Sequence, residues 1–322
     1  STHWLLAWIG LEMNTLAIIP IIAKQHHPRA TEATTKYFLI QAAASATVLF
    51  SSTINAWSTG TWDITQLTDP VACIMLTMAL SMKLGLAPLH FWLPEVLQGS
   101  SLKTALIIAT WQKLAPMALL YLTHHSLNTT ILLTMALIST VTGGWGGLNQ
   151  TQTRKIMAYS SIAHLGWMAS VLTLSPNIML LNLALYLMMT LSTFMLLMFS
   201  SSKTIKDLTT SWTISPTTTA LMLLLLMSMA GLPPLTGFMP KWLILQDLTD
   251  HNLPLTATLM ALSALLSLFF YLRLTYMTTL TMSPTTAQNK FKWRFQPKLK
   301  TMLLTTATVT SIMLLPITPA LI

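Results

Sequence analysis

Ten apolar segments follow one another along this chain, roughly 3–23, 34–57, 70–98, 101–123, 129–148, 155–173, 177–200, 216–247, 254–279 and 300–320. A bilayer core about 30 Å thick needs about 20 apolar residues per helix, and these segments supply them. Unsatisfied backbone groups are costly in lipid, so segments of this kind fold as helices. Only 8% of the residues are charged, against about 25% in soluble domains. That leaves nothing to cover a water-facing surface. The chain is predicted to be an all-α polytopic membrane protein, a single membrane domain over 1–322 with no soluble part.

The loop charges set an orientation. Lys24, Arg29 and Lys36, then Lys103, Arg154 with Lys155, Lys203 with Lys206, and Lys290, Lys292, Arg294, Lys298 and Lys300 fall in alternate connections or on the first residues of the segments beside them. The other connections carry no Lys or Arg, only Asp63, Asp69, Asp247 and Asp250 near them. Basic residues stay on the side from which a membrane protein is inserted. This partition places Ser1 and Ile322 on the side opposite the basic loops. The chain opens at Ser1 rather than Met and enters its first apolar segment at once; no cleavable signal is expected, and one further N-terminal helix is expected ahead of it.

Two segments share an unusual pattern. Gly85-Leu86-Ala87-Pro88-Leu89-His90-Phe91-Trp92-Leu93-Pro94 is matched 146 residues later by Gly231-Leu232-Pro233-Pro234-Leu235-Thr236-Gly237-Phe238-Met239-Pro240. Proline removes a helical hydrogen bond and crowds the preceding turn. Broken helices in corresponding places of two halves point to an ion pathway near the bilayer midplane. The copies are five crossings apart, so they run antiparallel. The expected organisation is an inverted pair of five-helix repeats, over 1–123 (lacking its first helix) and 124–279, followed by a basic loop and a terminal helix over 280–322.

Several ionisable residues fall inside the segments. Each costs about 2.5–3.5 kcal/mol at the bilayer centre even on the most lenient scale, so it persists only where paired, hydrated or useful. Glu12 is mid-segment, Lys83 precedes the first break, Lys113 lies in Trp111-Gln112-Lys113-Leu114-Ala115-Pro116, and Lys241 follows the second break. Burial disfavours a lysine's charge and a nearby carboxylate favours it. A buried lysine therefore exchanges its proton as its neighbours move. His164 occupies, in the second half, the helix corresponding to that of Glu12. Glu12, Lys83, Lys113, His164 and Lys241 are the expected proton-transfer residues; a structural ion pair, snorkelling or a packing histidine is the competing reading. His90 and Glu95 near the first break have no assigned role, and Arg273 reads as an interfacial anchor. The pairs His26-His27 and His124-His125 read as solvated loop residues.

Other functions are excluded or disfavoured. The net charge of +9 does not indicate nucleic acid, because the basic residues sit in loops without interleaved aromatics. The lone Cys73 rules out an internal disulfide and any cysteine-ligated zinc or iron–sulfur site within the chain. Gly143-Gly144-Trp145-Gly146-Gly147 lacks the spacing and the strand–helix context of a dinucleotide loop; it suits close helix approach.

Gly10-Leu11-Glu12-Met13-Asn14, Lys83 with the first break through Glu95, Trp111 to Pro116, Ser160-Ser161-Ile162-Ala163-His164-Leu165-Gly166 and Gly231 to Phe238 together resemble the antiporter-like membrane subunits of animal mitochondrial NADH:ubiquinone oxidoreductase, respiratory complex I. The likeness covers essentially the whole chain. It implies eleven helices in the intact subunit, a glutamate–lysine pair at Glu12 and Lys83, a central lysine at Lys113 and a lysine of the second broken helix at Lys241. It also implies a multi-pass protein of the mitochondrial inner membrane with its basic loops in the matrix. Its partners would be the other antiporter-like and accessory subunits of the membrane arm, and lipids such as cardiolipin. NADH, FMN, iron–sulfur clusters and ubiquinone would sit in partner subunits, with no cofactor or metal on this chain. The expected function is proton translocation through buried Glu, Lys and His, driven by redox chemistry elsewhere in the complex. A free-standing cation/proton antiporter and a structural scaffold are the alternatives.

Overall fold

In a computed structural model, residues 2–24, 26–280 and 302–316 are described. They form α1 (Trp4–Ala23), α2 (Pro28–Thr59), α3 (Pro70–Leu84), α4 (Trp92–Gly99), α5 (Leu102–Ala109), α6 (Trp111–Thr123), α7 (Thr129–Gly147), α8 (Thr153–Val171), α9 (Pro176–Phe199), α10 (Ile205–Ile214), α11 (Pro216–Ala230), α12 (Phe238–Asp250), α13 (Pro254–Leu280) and α14 (Met302–Met313). Among the described residues there is no strand, only isolated bridges between His3 and Asp63 and between Gln152 and Thr204. Six stretches among the described residues are long and apolar enough to cross a bilayer: α1, α2, α5 with α6, α7, α9 and α13. The basic residues Lys290 to Lys300 lie outside the described residues.

Proline at the first helical positions starts α2, α3, α9 and α11, where its missing N–H is an orphan anyway. At α2 this moves the expected boundary. Pro28, capped by His27, which accepts from the Arg29 N–H at 3.2 Å, starts the helix six residues before 34. Arg29, Glu32 and Lys36 are therefore on a helix and not in a loop. The span expected over 101–123 is also interrupted, at Thr110, between α5 and α6. Pro116 lies inside α6 and removes the hydrogen bond to the Gln112 carbonyl, two residues beyond the interruption. The short α10 was not expected at all. Its signal was a capping box: the Thr204 side chain accepts from the Asp207 N–H, and the Asp207 side chain accepts from the Thr204 N–H.

The two proline segments part at the same places. α3 ends at Gly85 (φ 82°, ψ 38°) and α11 at Gly231 (φ 85°, ψ 42°), both left-handed, a conformation that glycine adopts without a Cβ penalty. In each, the residue after the glycine donates back five residues, Leu86 to the Ser81 carbonyl at 3.0 Å and Leu232 to the Met227 carbonyl at 3.4 Å. α4 then begins at Trp92 and α12 at Phe238. Every one of these positions is offset by 146 residues.

α8 is buried over nearly its whole surface, including every residue from Ser160 to Val171. A helix covered on all sides need not be apolar towards lipid, which explains Ser160, Ser161, His164 and Ser170 along it. The glycine cluster packs α7 onto it. A Cβ on Gly143 would lie 2.6 Å from the Ala163 nitrogen, and one on Gly147 would lie 2.8 Å from the Phe270 ring of α13. Basic connections gather at one end of the bundle: Lys36 pairs with Glu95, the Arg154 guanidinium donates to the Ser100 carbonyl, and the Thr153 N–H donates to the Lys203 carbonyl. At α10 in the same region, the Thr204 and Lys203 N–H groups hold the Asp207 carboxyl below the usual carboxylate range. Near the other end the Ser175 hydroxyl bonds the Asp247 carboxylate.

Candidate functional site

The end of α3 leaves carbonyls without helical partners. Neutral donors satisfy them: the Trp92 indole bonds the Met82 carbonyl at 3.1 Å, and the Gln41 amide bonds the Lys83 carbonyl at 3.4 Å. Lys83 itself is 5% exposed, and its ammonium has no hydrogen-bond partner. Glu12 of α1 acts electrostatically on Lys83 and on Tyr37. It makes no direct ion pair with Lys83, and its Oε2 is buried without a hydrogen bond. Among the described residues the ion pairs are Lys36–Glu32 and Lys36–Glu95, both at 2.6 Å. A cavity of about 10 Å³, close to the least that admits one water, lies among Asn14, Tyr37, Gln41, Lys83, Gln112 and Pro116. It brings Lys83 beside the residue preceding Lys113.

Lys113 is 2% exposed. Its ammonium donates to the Tyr186 hydroxyl of α9 at 2.9 Å and lies 4.8 Å from the centre of that ring. The Tyr186 hydroxyl donates in turn to the Ala109 carbonyl at 3.0 Å. The imidazole of His164, on α8, packs against the same ring at a centroid distance of 5.5 Å. The charges of Lys241 and Lys113 both act on His164. A second cavity of about 10 Å³ is lined by Ser160, His164, Trp167, Lys241 and Tyr271. The Lys241 ammonium donates to the Ala230 carbonyl at 2.7 Å. That carbonyl is the last of α11, so the second break ties its lysine to the freed backbone, whereas the first break does not.

The structure therefore gathers Lys113, His164 and Lys241 around Tyr186 and the cavity beside it, and places Lys83 in a neighbouring cavity that Gln112 also lines, with Glu12 acting on it by charge. It leaves out Glu95. That residue is offset by 146 from Lys241, but its half-exposed carboxylate pairs with Lys36 at the basic end. His90 is 6% exposed, with its Nδ1 unpartnered, and its ring meets that of Phe91 at a tilt, 4.4 Å between centroids. The Arg273 guanidinium donates to the Leu148 and Gln150 carbonyls, capping the end of α7.

Sequence reasoning missed four participants. Asn14 and Gln112 exchange side-chain hydrogen bonds at 3.1 and 3.2 Å across α1 and α6; each is a polar amide within two residues of a charge inside an apolar segment, Glu12 and Lys113, which was signal enough. Gln41 and Tyr186 are single polar side chains in otherwise ordinary apolar runs, and nothing in the sequence marked them.

Residues 1–267 match the family described as NADH:quinone oxidoreductase/Mrp antiporter, transmembrane, and residues 268–322 match the NADH dehydrogenase subunit 2 C-terminus. The chain is 61% identical over 319 residues to the NADH-ubiquinone oxidoreductase chain 2 of Xenopus laevis, covering 99% of this chain and 92% of that protein. It is 59% identical over 320 residues to that of Oncorhynchus mykiss, with the same coverage. Among solved structures it resembles a chain of respiratory complex I from Thermus thermophilus with a TM-score of 0.88 and 27% identity, covering all of this chain and 76% of that one. A chain of the Mrp complex from Dietzia shares the fold, with a TM-score of 0.81 at 17% identity, over 88% of this chain and 58% of that one.

Proposed function

The chain belongs to the NADH:quinone oxidoreductase/Mrp antiporter membrane family, and on that footing we propose that it is a proton-translocating membrane subunit of NADH-ubiquinone oxidoreductase. The observation that carries the proposal is the buried cluster of Lys113, Tyr186 and His164, set between two helix pairs that each break at a left-handed glycine.

The finer architecture in this reading is ten crossings arranged as inverted repeats. The 146-residue match of the two breaks supports it. The basic loops face the matrix of mitochondria, in keeping with their segregation to one side. Other subunits and lipids such as cardiolipin cover the apolar side chains left open on α1, among them Leu6, Ile9 and Met13. NADH, flavin, iron–sulfur clusters and quinone reside in partner subunits.

Proton movement follows from charge proximity. Two unit charges 4 Å apart interact by about 4 kcal/mol at an effective dielectric of 20. Moving one proton against 100 mV requires about 2.3 kcal/mol. Bringing Glu12 to Lys83 and withdrawing it is therefore sufficient to drive one proton. With Glu12 close, Lys83 holds its proton. With Glu12 withdrawn, the proton passes by the cavity beside Gln112 to Lys113. It continues to His164 and Lys241.

The test uses the intact complex assembled with Lys113→Met, reconstituted in liposomes. Quinone reduction with a reduced pumped-proton yield per electron is expected. A normal yield would remove Lys113 from the path.

A further inference from the structure

Tyr186 carries no charge and has been given no step in the path, yet its hydroxyl sits where α5, α6 and α9 meet. It is fully buried. It accepts from the Lys113 ammonium at 2.9 Å, donates to the Ala109 carbonyl at 3.0 Å, and its ring lies 5.5 Å from that of His164. The hydroxyl of Ser161, on the same helix as His164, is near the same oxygen.

The Ala109 carbonyl is available because α5 stops there. In a continuous helix the Lys113 N–H would bond Ala109. Here it goes to the Thr110 carbonyl at 3.3 Å instead. The interruption thus creates an acceptor for one hydroxyl proton, directly beside a lysine that offers another.

We propose that Tyr186 passes the proton between Lys113 and His164, and that the Ala109 carbonyl is the parking position of its hydroxyl. A tyrosine hydroxyl has one proton to give and two lone pairs to receive. In the arrangement observed, its proton points to Ala109, and no proton is on offer to His164. Rotation of the hydroxyl towards α8 opens the step. The Lys113 N–H bond then breaks as a new O–H bond forms on Tyr186, while the original O–H bond breaks and its proton joins an imidazole nitrogen of His164. Lys113 loses one proton, His164 gains one, and Tyr186 is neutral before and after. The gate is a hydroxyl rotation.

This inference rests on the proton-path reading, and the test separates the two. Complexes carrying Tyr186→Phe, Tyr186→His and Lys113→Met are purified intact, and quinone reduction and pumped protons per electron are measured on each. Loss of a positioned proton-transfer group slows its step by about 100-fold or more. Tyr186→Phe, which keeps the ring and its packing, therefore falls to the proton yield of Lys113→Met while it still reduces quinone. Tyr186→His returns a proton-carrying ring atom and regains at least half of the difference. Normal pumping in Lys113→Met overturns the path itself. A lowered yield in Lys113→Met with wild-type yield in Tyr186→Phe overturns the role of Tyr186 alone. Where the Phe variant does not assemble, a Tyr186→His complex no better than Lys113→Met overturns it equally.

Discussion

Lys241 reaches the Ala230 carbonyl through space that a side chain on Gly231 would need: a Cβ there would sit 2.9 Å from the Lys241 Nζ and 3.0 Å from its Cδ. The glycine therefore serves two ends. It turns the chain through φ 85°, and it lets the ammonium approach the freed backbone. Gly231→Ala meets both demands badly, with a left-handed penalty of about 1–2 kcal/mol and a displaced lysine. An assembled complex with a lower melting temperature and a lower pumped-proton yield is expected. Wild-type values of both would show that the contact has no role.

Glu12 and Lys83 interact by charge without touching, so their substitutions should couple. Glu12→Gln and Lys83→Met each lower coupled activity, and the double variant loses less than the sum. Residues sharing an interaction depart from additivity by about 0.5–3 kcal/mol. Proton yield and quinone reductase rate, measured across the four complexes, check this; strict additivity would mean that the two never meet in the cycle.

The Asn14–Gln112 amide pair clasps α1 to α6. Removing one partner strands the other, at a cost of about 1–3 kcal/mol. Asn14→Ala should lower the thermal stability of the detergent-solubilised complex, and Gln112→Ala should add little to it in the double variant. If each single substitution leaves the melting temperature unchanged, the clasp contributes nothing.

Asp207 offers a pH test outside the membrane. Its carboxyl is held below the ordinary range by the Thr204 and Lys203 N–H groups and the Thr204 hydroxyl. A depressed folded value means that the stabilisation is present above the ordinary aspartate range and is lost as pH falls through the lowered one. Amide protection at residues 203–207 should decline on acidification in the wild type. It should be weak at every pH in Asp207→Ala. Equal protection in both would exclude the cap.

The two glycine–proline breaks were legible because Gly, Pro and the 146-residue spacing are all local signals. The Thr110 interruption was not, since threonines also stand inside other helices of this chain, such as Thr77 and Thr140, and a threonine alone does not tell an end from an interior. The buried lysines and His164 announced themselves by the cost of charge in lipid. That cost says only that a group must be accommodated, and does not say by what. Hence Glu95, aligned with Lys241 along the chain, turned out to serve Lys36. Gln41 and Tyr186 emerged only when helices distant in sequence came together. The start of α2 was misplaced because the polar run from Arg29 to Lys36 interrupts the apolar pattern, while the helix start is encoded in His27-Pro28.

The enclosure of α8 has a bearing on how the chain is made. Although 19 residues long, α8 is not among the stretches apolar enough to cross a bilayer unaided, and it leaves the ribosome before α9 and α13, which later cover it. Of its eventual neighbours, α7 immediately precedes it, and the Gly143 seam lets their backbones close at once. The natural unit of insertion is then the α7–α8 hairpin, entering lipid as a pair. A larger residue at Gly143 would do its damage during synthesis, when α7 is the main surface α8 has to pack on and only α4 and α5 stand beside it.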